Sequence, residues 1–337
     1  MDVPAPMEAL LAAELPEDGG WQFEPKWDGF RCLARRKGDA VTLTSKSGKP
    51  LGRYFPEVVA MLATLGCDDF LLDGELIIPV GDTLSFDALQ LRLHPAESRI
   101  RKLAAQTPAE LMAFDLLAVG GKSLVGEPLE QRRAALERLL GENDLPSLHL
   151  SPMTRSRRTA LGWLDRSGGA LDGVVAKRAT QEYRSGERAM IKVKQQRTAD
   201  CVVGGFRYAQ KGQEVGSLLL GLYDSDGALN HVGFTSALKA EDRPALTRQL
   251  EELVEAPGFT GNAPGGPSRW SNARSMPWEP LRPQLVVEVR YDQVTKGRFR
   301  HGTGFVRWRP DKDPKQCTYD QLAPALKPSE LKELFGP

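Results

Sequence analysis

The chain has 337 residues, which at roughly 150 per domain corresponds to about two domains. Its 41% hydrophobic and 26% charged residues are ordinary globular proportions and exclude wholesale disorder. Lys and Arg number 45 against 44 Asp and Glu, a net charge of +1, so charge balance alone points to no class of partner.

From the N-terminus, the segment MDVPAPMEALLAAELPEDGG carries acids and has no basic leader before its short apolar stretch, so no secretory signal is expected. Strand-like runs follow at 30–34, 41–44, 70–79, 111–119 and 173–177. Helical patterns lie between them at 56–65, 86–93, 129–140 and 158–167. In the third of these, Leu129, Leu136, Leu139 and Leu140 form an apolar stripe, and Glu130, Arg132, Arg133 and Arg138 supply the wet side. Strands and helices do not alternate regularly enough for a doubly wound sheet. The expected class is α+β, antiparallel sheets with helices packed on them.

After Arg197 the texture changes to short strands at 201–208, 217–223, 230–235, 285–293 and 304–309. An amphipathic helix at 243–253 and a Pro/Gly-rich loop over 256–283 interrupt them, and Asp224-Ser225-Asp226-Gly227 is a hairpin turn. Five strands with one inserted helix suggest an OB-fold β-barrel. The expected domains are 1–197 and 198–337. No apolar run approaches the roughly 18 residues a membrane span requires, so no membrane association is expected. Cys32, Cys67, Cys201 and Cys317 stand apart, without zinc or disulfide spacing, which suits a cytoplasmic protein with reduced thiols.

The most informative stretch is Phe23-Glu24-Pro25-Lys26-Trp27-Asp28-Gly29-Phe30-Arg31. Taken alone, Lys26 is an exposed lysine ahead of an Asp-Gly turn and a β run. As a nucleophile it needs help, because a free lysine is neutral in only about one molecule in 2,500 at pH 7. Other cations or a metal nearby would raise that fraction. Met190-Ile191-Lys192-Val193-Lys194 supplies two lysines at period two, on one face of a strand, where like charges invite a phosphate between them. Leu72-Asp73-Gly74-Glu75-Leu76 and Leu171-Asp172-Gly173-Val174 read as acidic turns ending apolar strands, suited to a divalent metal or a ribose hydroxyl.

In order, the chain reads Lys26-x-Asp28-Gly29-x-Arg31, Ser45-Lys46-x-Gly48, Asp73-Gly74-Glu75, Ala113-Phe114-Asp115, Asp172-Gly173-Val174-Val175-x-Lys177 and Lys192-Val193-Lys194. This series resembles the covalent nucleotidyltransferases, and within them the ATP-dependent DNA ligases. Phe305-Val306-Arg307-Trp308-Arg309-Pro310-Asp311-Lys312 is similar to the last motif of that family. The resemblance covers about residues 20 to 320, and the wording is similar to the small bacterial repair ligases of the ligase C type and the ligase domain of ligase D.

The resemblance implies an ATP-grasp-like nucleotidyltransferase domain followed by the OB-fold domain. It further implies sealing of nicks bearing 3′-hydroxyl and 5′-phosphate through a lysyl-AMP intermediate, in DNA repair and recombination. Lys26 would take AMP from ATP. Glu24, Arg31, Lys46, Glu75, Phe114, Lys177, Lys192 and Lys194 would form the nucleotide site, with Phe114 stacking on adenine. Asp172 and Glu75 would hold Mg²⁺ or Mn²⁺, and Arg309 and Lys312 would close over the β- and γ-phosphates. Position 172 carries Asp where the family has Glu, and position 46 carries Lys where Arg is common. The implied partners are nicked duplex DNA and other repair proteins, for a nucleoid-associated monomer without a separate DNA-clamping domain. The alternatives are an RNA ligase, a GTP-dependent capping guanylyltransferase or a non-catalytic OB-fold DNA-binding protein.

Four further features are less specific. Gly120-Gly121-Lys122-Ser123 lacks the earlier glycine of a P-loop, and His94, His149, His231 and His301 have no ligand spacing. The stretch from Lys296 to Lys315 interleaves seven Lys and Arg with Phe299, Phe305 and Trp308, and Arg155, Arg157 and Arg158 form a second basic cluster. Both are nucleic-acid footprints or solvated faces.

Overall fold

A computed structural model describes residues 3–81, 83–143, 145–167, 171–195, 197–210, 212–265, 277–295, 297–300 and 302–322. The chain divides into two compact units, the first running to Gln195.

In chain order the first unit opens with β1 (Glu8–Ala12), β2 (Trp21–Trp27), β3 (Phe30–Lys37), β4 (Ala40–Ser45), α1 (Pro56–Ala63) and β5 (Asp69–Ile77). A small hairpin, β6 (Pro79–Val80) and β7 (Thr83–Leu84), leads into α2 (Phe86–Arg92), α3 (Glu97–Gln106), β8 (Glu110–Val119) and β9 (Lys122–Ser123). Then come α4 (Leu129–Gly141), β10 (Leu148–Leu150), α5 (Arg157–Asp165), β11 (Leu171–Arg178) and β12 (Arg188–Val193). The strands form two sheets, ordered β1-β12-β11-β2 and β10-β8-β5-β3-β4.

β5 and β8 are buried almost end to end, which is why both read as continuous apolar runs rather than alternating ones. Helices α1 and α4 cover the second sheet through Val58, Leu62, Leu136 and Leu139. Helix α5 covers the first through Ala160 and Trp163. A third cluster, with Met7, Leu33, Leu71, Leu117 and Met190, draws on both sheets and packs them against each other. Local chemistry sets the helix starts. Ser85 and Ser156 accept the backbone N–H groups of Ala88 and Thr159 as N-caps, and Pro56 opens α1.

The structure corrects the reading at three points. The sheets are mostly antiparallel, but β1 pairs with β12, and β10 with β8, in parallel. Arg132 and Arg133 of α4 are buried rather than wet. Arg132 makes a two-pronged ion pair with Asp115 at 2.8 and 2.9 Å, and Arg133 donates to the Ser151 carbonyl and Glu137, so each guanidinium is satisfied inside. Finally, Asp73, Gly74 and Glu75 lie in the middle of β5, not in a turn.

The second unit holds β13 (Arg197–Tyr208), β14 (Val215–Tyr223), β15 (Leu229–Thr235), α6 (Arg243–Glu251) and β16 (Glu279–Pro280). It ends with β17 (Val286–Tyr291), β18 (Val294–Thr295), β19 (Arg298–Phe299) and β20 (Gly304–Trp308). The strand order β15-β14-β13-β17-β20 is that of a curling sheet, and its two edges meet where Thr235 bridges Thr303, the Thr235 hydroxyl donating to the Thr303 carbonyl at 2.9 Å. Leu246 and Leu250 of α6 join Phe206, Leu218, Leu220, Val287 and Val289 in one core. The β14–β15 turn is tied by Asp224, whose Oδ1 accepts the N–H groups of Asp226 and Ala228. Among the described residues no helix is long and apolar enough to cross a membrane.

Candidate active site

Lys26 is the second-last residue of β2, in the strand rather than ahead of it. β2 pairs with β11, whose register slips between Leu171 and Val174, and Asp172 sits in that bulge. Gly173 has φ +131°, and a Cβ there would lie 2.1 Å from the Val193 carbonyl oxygen, so only glycine lets β11 approach β12 at this point. The result is an ion pair between Lys26 Nζ and Asp172 Oδ2 at 2.6 Å. Lys194 Nζ reaches the same oxygen at 3.0 Å. Lys192 lies within β12 and Lys194 one residue past its end. The Lys192 ammonium is held below its usual range, first by burial and then by Lys26, Lys194 and Lys46 around it.

The second sheet supplies the opposite wall. Arg31 lies across from Glu75 in the β3–β5 ladder, and its guanidinium grips Asp73 in two-pronged fashion at 2.5 and 2.6 Å. Asp73 is fully buried and also accepts the Tyr183 hydroxyl at 2.7 Å, while the Tyr183 oxygen accepts the Met7 N–H at 2.9 Å. Glu75 Oε1 accepts the Gly29 N–H at 3.2 Å. Burial pushes the Glu75 carboxyl up to about 7, with Arg31 and Lys26 opposing the rise. Gly29 is needed here as well, since a Cβ would fall 2.1 Å from the Leu76 carbonyl oxygen.

Phe114 on β8 lies between these walls, with the Arg31 guanidinium 4.5 Å and the Lys177 ammonium 4.6 Å from its ring centre. Lys177 is paired with Glu24 at 2.6 Å, and Gln22 donates to the other Glu24 oxygen at 2.7 Å. The Glu24 carboxylate is thus engaged in fixing Lys177. Lys46 pairs with Glu8 at 3.1 Å. One pocket is lined by Glu24, Lys26, Arg31, Lys46, Glu75, Phe114, Lys177 and Lys192 together. Asp172 and Lys194 join it through Lys26. Cations crowd a cleft that also offers an aromatic ring, which suits a polyphosphate attached to a flat base. Among the described residues no group of three or more His, Cys, Asp or Glu could by itself hold a metal ion.

The last motif folds within the second unit. Arg309 NH1 donates to both oxygens of Asp200 at 2.9 and 3.0 Å, and its Nε and NH2 donate to Asp311. That contact draws the Asp311 carboxyl down to about 2. Lys312 Nζ lies 3.6 Å from Asp200 Oδ2. Elsewhere in the basic stretch Arg307 pairs with Glu288, Arg300 with Gln293 and Arg298 with His231, whereas Lys296 and His301 lie outside the described residues. His231 is buried and held down to about 4, by burial first and then by Arg298 and Arg207. Gly120 and Gly121 make the turn between β8 and β9.

Comparison with known proteins decides the family. Residues 8–194 match the ATP dependent DNA ligase domain, and residues 211–312 match the ATP dependent DNA ligase C terminal region. The chain belongs to the ATP-dependent DNA ligase family. DNA ligase C2 of Mycolicibacterium smegmatis is 45% identical over 343 residues, covering 96% of this chain and 96% of that protein. The multifunctional non-homologous end joining DNA repair protein LigD of Mycobacterium tuberculosis is 32% identical over 311 residues, covering 88% of this chain and 37% of LigD. Among solved structures, a Lig E DNA ligase shares the fold with TM-score 0.53 at 18% identity, over 90% of this chain and all of that one.

Within this ligase, sequence reasoning missed the supports. Asp73, read with Glu75 as a carboxylate for a metal or a ribose hydroxyl, instead anchors Arg31. Met7 and Tyr183 reach the site across 176 residues of chain, a contact no local pattern announces. Asp200 left a readable signal, a lone carboxylate in the apolar run Ala199-Asp200-Cys201-Val202-Val203.

Proposed function

We propose that this ligase seals nicked duplex DNA by way of a lysyl-AMP formed on Lys26. The carrying observation is the Lys26 amine on Asp172 in a pocket whose other walls are Lys192, Arg31, Lys177 and Phe114. In the first step the Lys26 nitrogen bonds to the α-phosphorus of ATP, the bond to the bridging oxygen breaks, and pyrophosphate leaves. The lysine proton must depart first, and Asp172 Oδ2, 2.6 Å away, is placed to receive it. Lys192 and Lys194 stabilise the charge that builds on the α-phosphate, Arg31 holds a phosphate, Phe114 stacks on adenine, and Glu75 takes a ribose hydroxyl. Lys46 would contact a further phosphate once it leaves Glu8. Arg309 and Lys312 orient the leaving pyrophosphate. AMP then passes to the 5′-phosphate of the nick, and the 3′-hydroxyl displaces it.

A divalent cation fits the donor set only in the manner usual for Mg²⁺, through Asp172 or Glu75 with the remaining ligands from phosphate and water. When bound, Mg²⁺ or Mn²⁺ would polarise the α-phosphoryl group. Residues 1–197 would serve as the adenylation domain and 198–337 as the OB-fold domain, acting as a monomer. Duplex binding would run through phosphate contacts by basic clusters such as Arg155–Arg158, whose surface pairs with Glu130 and Glu17 are weak enough to exchange. Affinity would then fall with salt by a slope of about −0.9 per phosphate neutralised.

The test is incubation with α-labelled ATP or GTP followed by sealing of a nicked duplex. Label from ATP and a sealed strand are expected. Preference for GTP would indicate a capping enzyme, sealing of RNA alone an RNA ligase, and absence of label a binding module.

A further inference from the structure

Asp200 stands out because it is a buried carboxylate that serves two cations of the last motif and belongs to no motif itself. It lies in the β13–β17 ladder opposite Glu288, near the start of a long buried strand. Its backbone is clamped on both sides by one side chain, since Gln321 accepts the Asp200 N–H at 2.9 Å and donates to the Asp200 carbonyl at 3.1 Å. Its side chain is 12% exposed, and both carboxylate oxygens accept from Arg309 NH1 while Oδ2 also faces Lys312. Arg309 and Lys312, by contrast, sit in the loop that follows β20, joined by a backbone bond from the Lys312 N–H to the Arg309 carbonyl.

We propose that Asp200 is a positioning residue for adenylyl transfer, a fixed carboxylate that holds Arg309 and Lys312 side by side in the geometry with which they meet the leaving pyrophosphate. A carboxylate flanked by two cations offers the same paired oxygens as a phosphate. Asp200 therefore keeps two flexible side chains convergent before the nucleotide arrives and takes them back after pyrophosphate leaves. Holding them on a strand whose backbone is itself clamped removes rotamer freedom that would otherwise be lost in the transition state. Asp311 grips the other edge of the Arg309 guanidinium, but it is mostly exposed and makes no ion pair with Lys312, so among the described residues it is Asp200 that joins the two cations. The assignment rests on the proposed role of Arg309 and Lys312.

The experiment compares wild type, Asp200→Asn, Asp200→Glu, Arg309→Ala and the double variant Asp200→Asn with Arg309→Ala in two assays. One is single-turnover self-adenylylation over a range of ATP concentrations, and the other is sealing of a pre-adenylylated nick. Asp200→Asn should slow self-adenylylation by about tenfold, as loss of a charged hydrogen-bond pair does, while sealing of the pre-adenylylated nick stays within about twofold of wild type. Asp200→Glu, which keeps the charge, should recover most of the rate. The double variant should lose less than the product of the two single losses, because part of what Asp200 does passes through that guanidinium and the rest through Lys312. Equal losses in both assays for Asp200→Asn would make Asp200 a purely structural residue and overturn the assignment. So would losses that multiply in the double variant. If Arg309→Ala impairs adenylylation selectively and Asp200→Asn does not, the Asp200 assignment alone falls. If Arg309→Ala itself spares adenylylation, the pyrophosphate role falls and carries the assignment with it.

Discussion

The lysine cluster around Lys26 in the first unit and the last motif in the second treat their cations differently. In the first, Lys26 and Lys194 share one oxygen of Asp172, Lys192 is crowded by both, and the cluster carries more positive than negative charge. In the second, the cations of the last motif are matched, Arg309 with Asp200 and Asp311 and Arg307 with Glu288. An unbalanced cluster costs repulsion unless an anion completes it, so on the proposed mechanism the first arrangement is where phosphate chemistry would take place. On the same proposal the matched arrangement would hold its cations until a better anion competes. A basic run in a sequence cannot tell these two apart, because the difference lies in which acids the fold brings alongside.

The comparison can be broken or sharpened by substitution. The largest effect is expected where a matched pair is buried in the first unit. Asp115→Leu strands the Arg132 guanidinium, 2% exposed, and should destabilise that unit by about 3–5 kcal/mol in urea unfolding. Within the unbalanced cluster, Asp172→Asn should cost on the order of 1.5–3 kcal/mol of stability. That loss should shrink in added phosphate or pyrophosphate, whereas the Asp115→Leu loss should not. Equal response of the two variants to phosphate would show that the lysine cluster is no anion site.

One buried group in each unit should also answer oppositely to pH. The Glu75 carboxyl lies at about 7 in the fold against 4.5 free, so the folded form retains a proton the unfolded chain has lost. Its stabilising contribution is full below about 4.5 and is lost as pH rises through about 7. His231 lies at about 4 against 6.5 free, so its contribution is present above about 6.5 and lost as pH falls toward about 4. Glu75→Gln should flatten the first trend and His231→Gln the second, read as denaturant midpoints across both windows. The smallest effect is expected at the surface, where Arg307→Ala should change stability by only about 0.2–1 kcal/mol, since Arg307 is 61% exposed.

Much of the site was legible because its residues fall in short contiguous motifs. Lys26, Asp172, Lys192 and Lys194 could be read in order and do meet. Apolar, β-rich runs placed most of β3, β5, β8 and β11, and the Asp224 turn and inserted helix pointed to the barrel. β1 was hidden because Glu8–Ala12 is a helix-favouring run of Glu, Ala and Leu that becomes a strand only through pairing with β12. β2 was hidden by Pro25, since Trp21–Trp27 alternates apolar and polar residues as a strand does but a proline inside the run argues against one. Arg132 and Arg133 looked wet because charge normally marks a solvent face, and their partners Asp115 and Ser151 lie 17 and 18 residues away. Phe114 was found, but not that two cations lie over its ring, and Asp200 escaped because its value depends on a contact 109 residues distant.

The central claim is that Lys26 is the group that carries AMP. The direct measurement is peptide mapping by mass spectrometry after incubation with ATP and Mg²⁺, on wild type and on Lys26→Ala. One adenylyl group on the peptide containing Lys26, and none anywhere on the variant, is the predicted result. Adenylyl on Lys192, Lys194 or any other residue, or label that persists on Lys26→Ala, would contradict it.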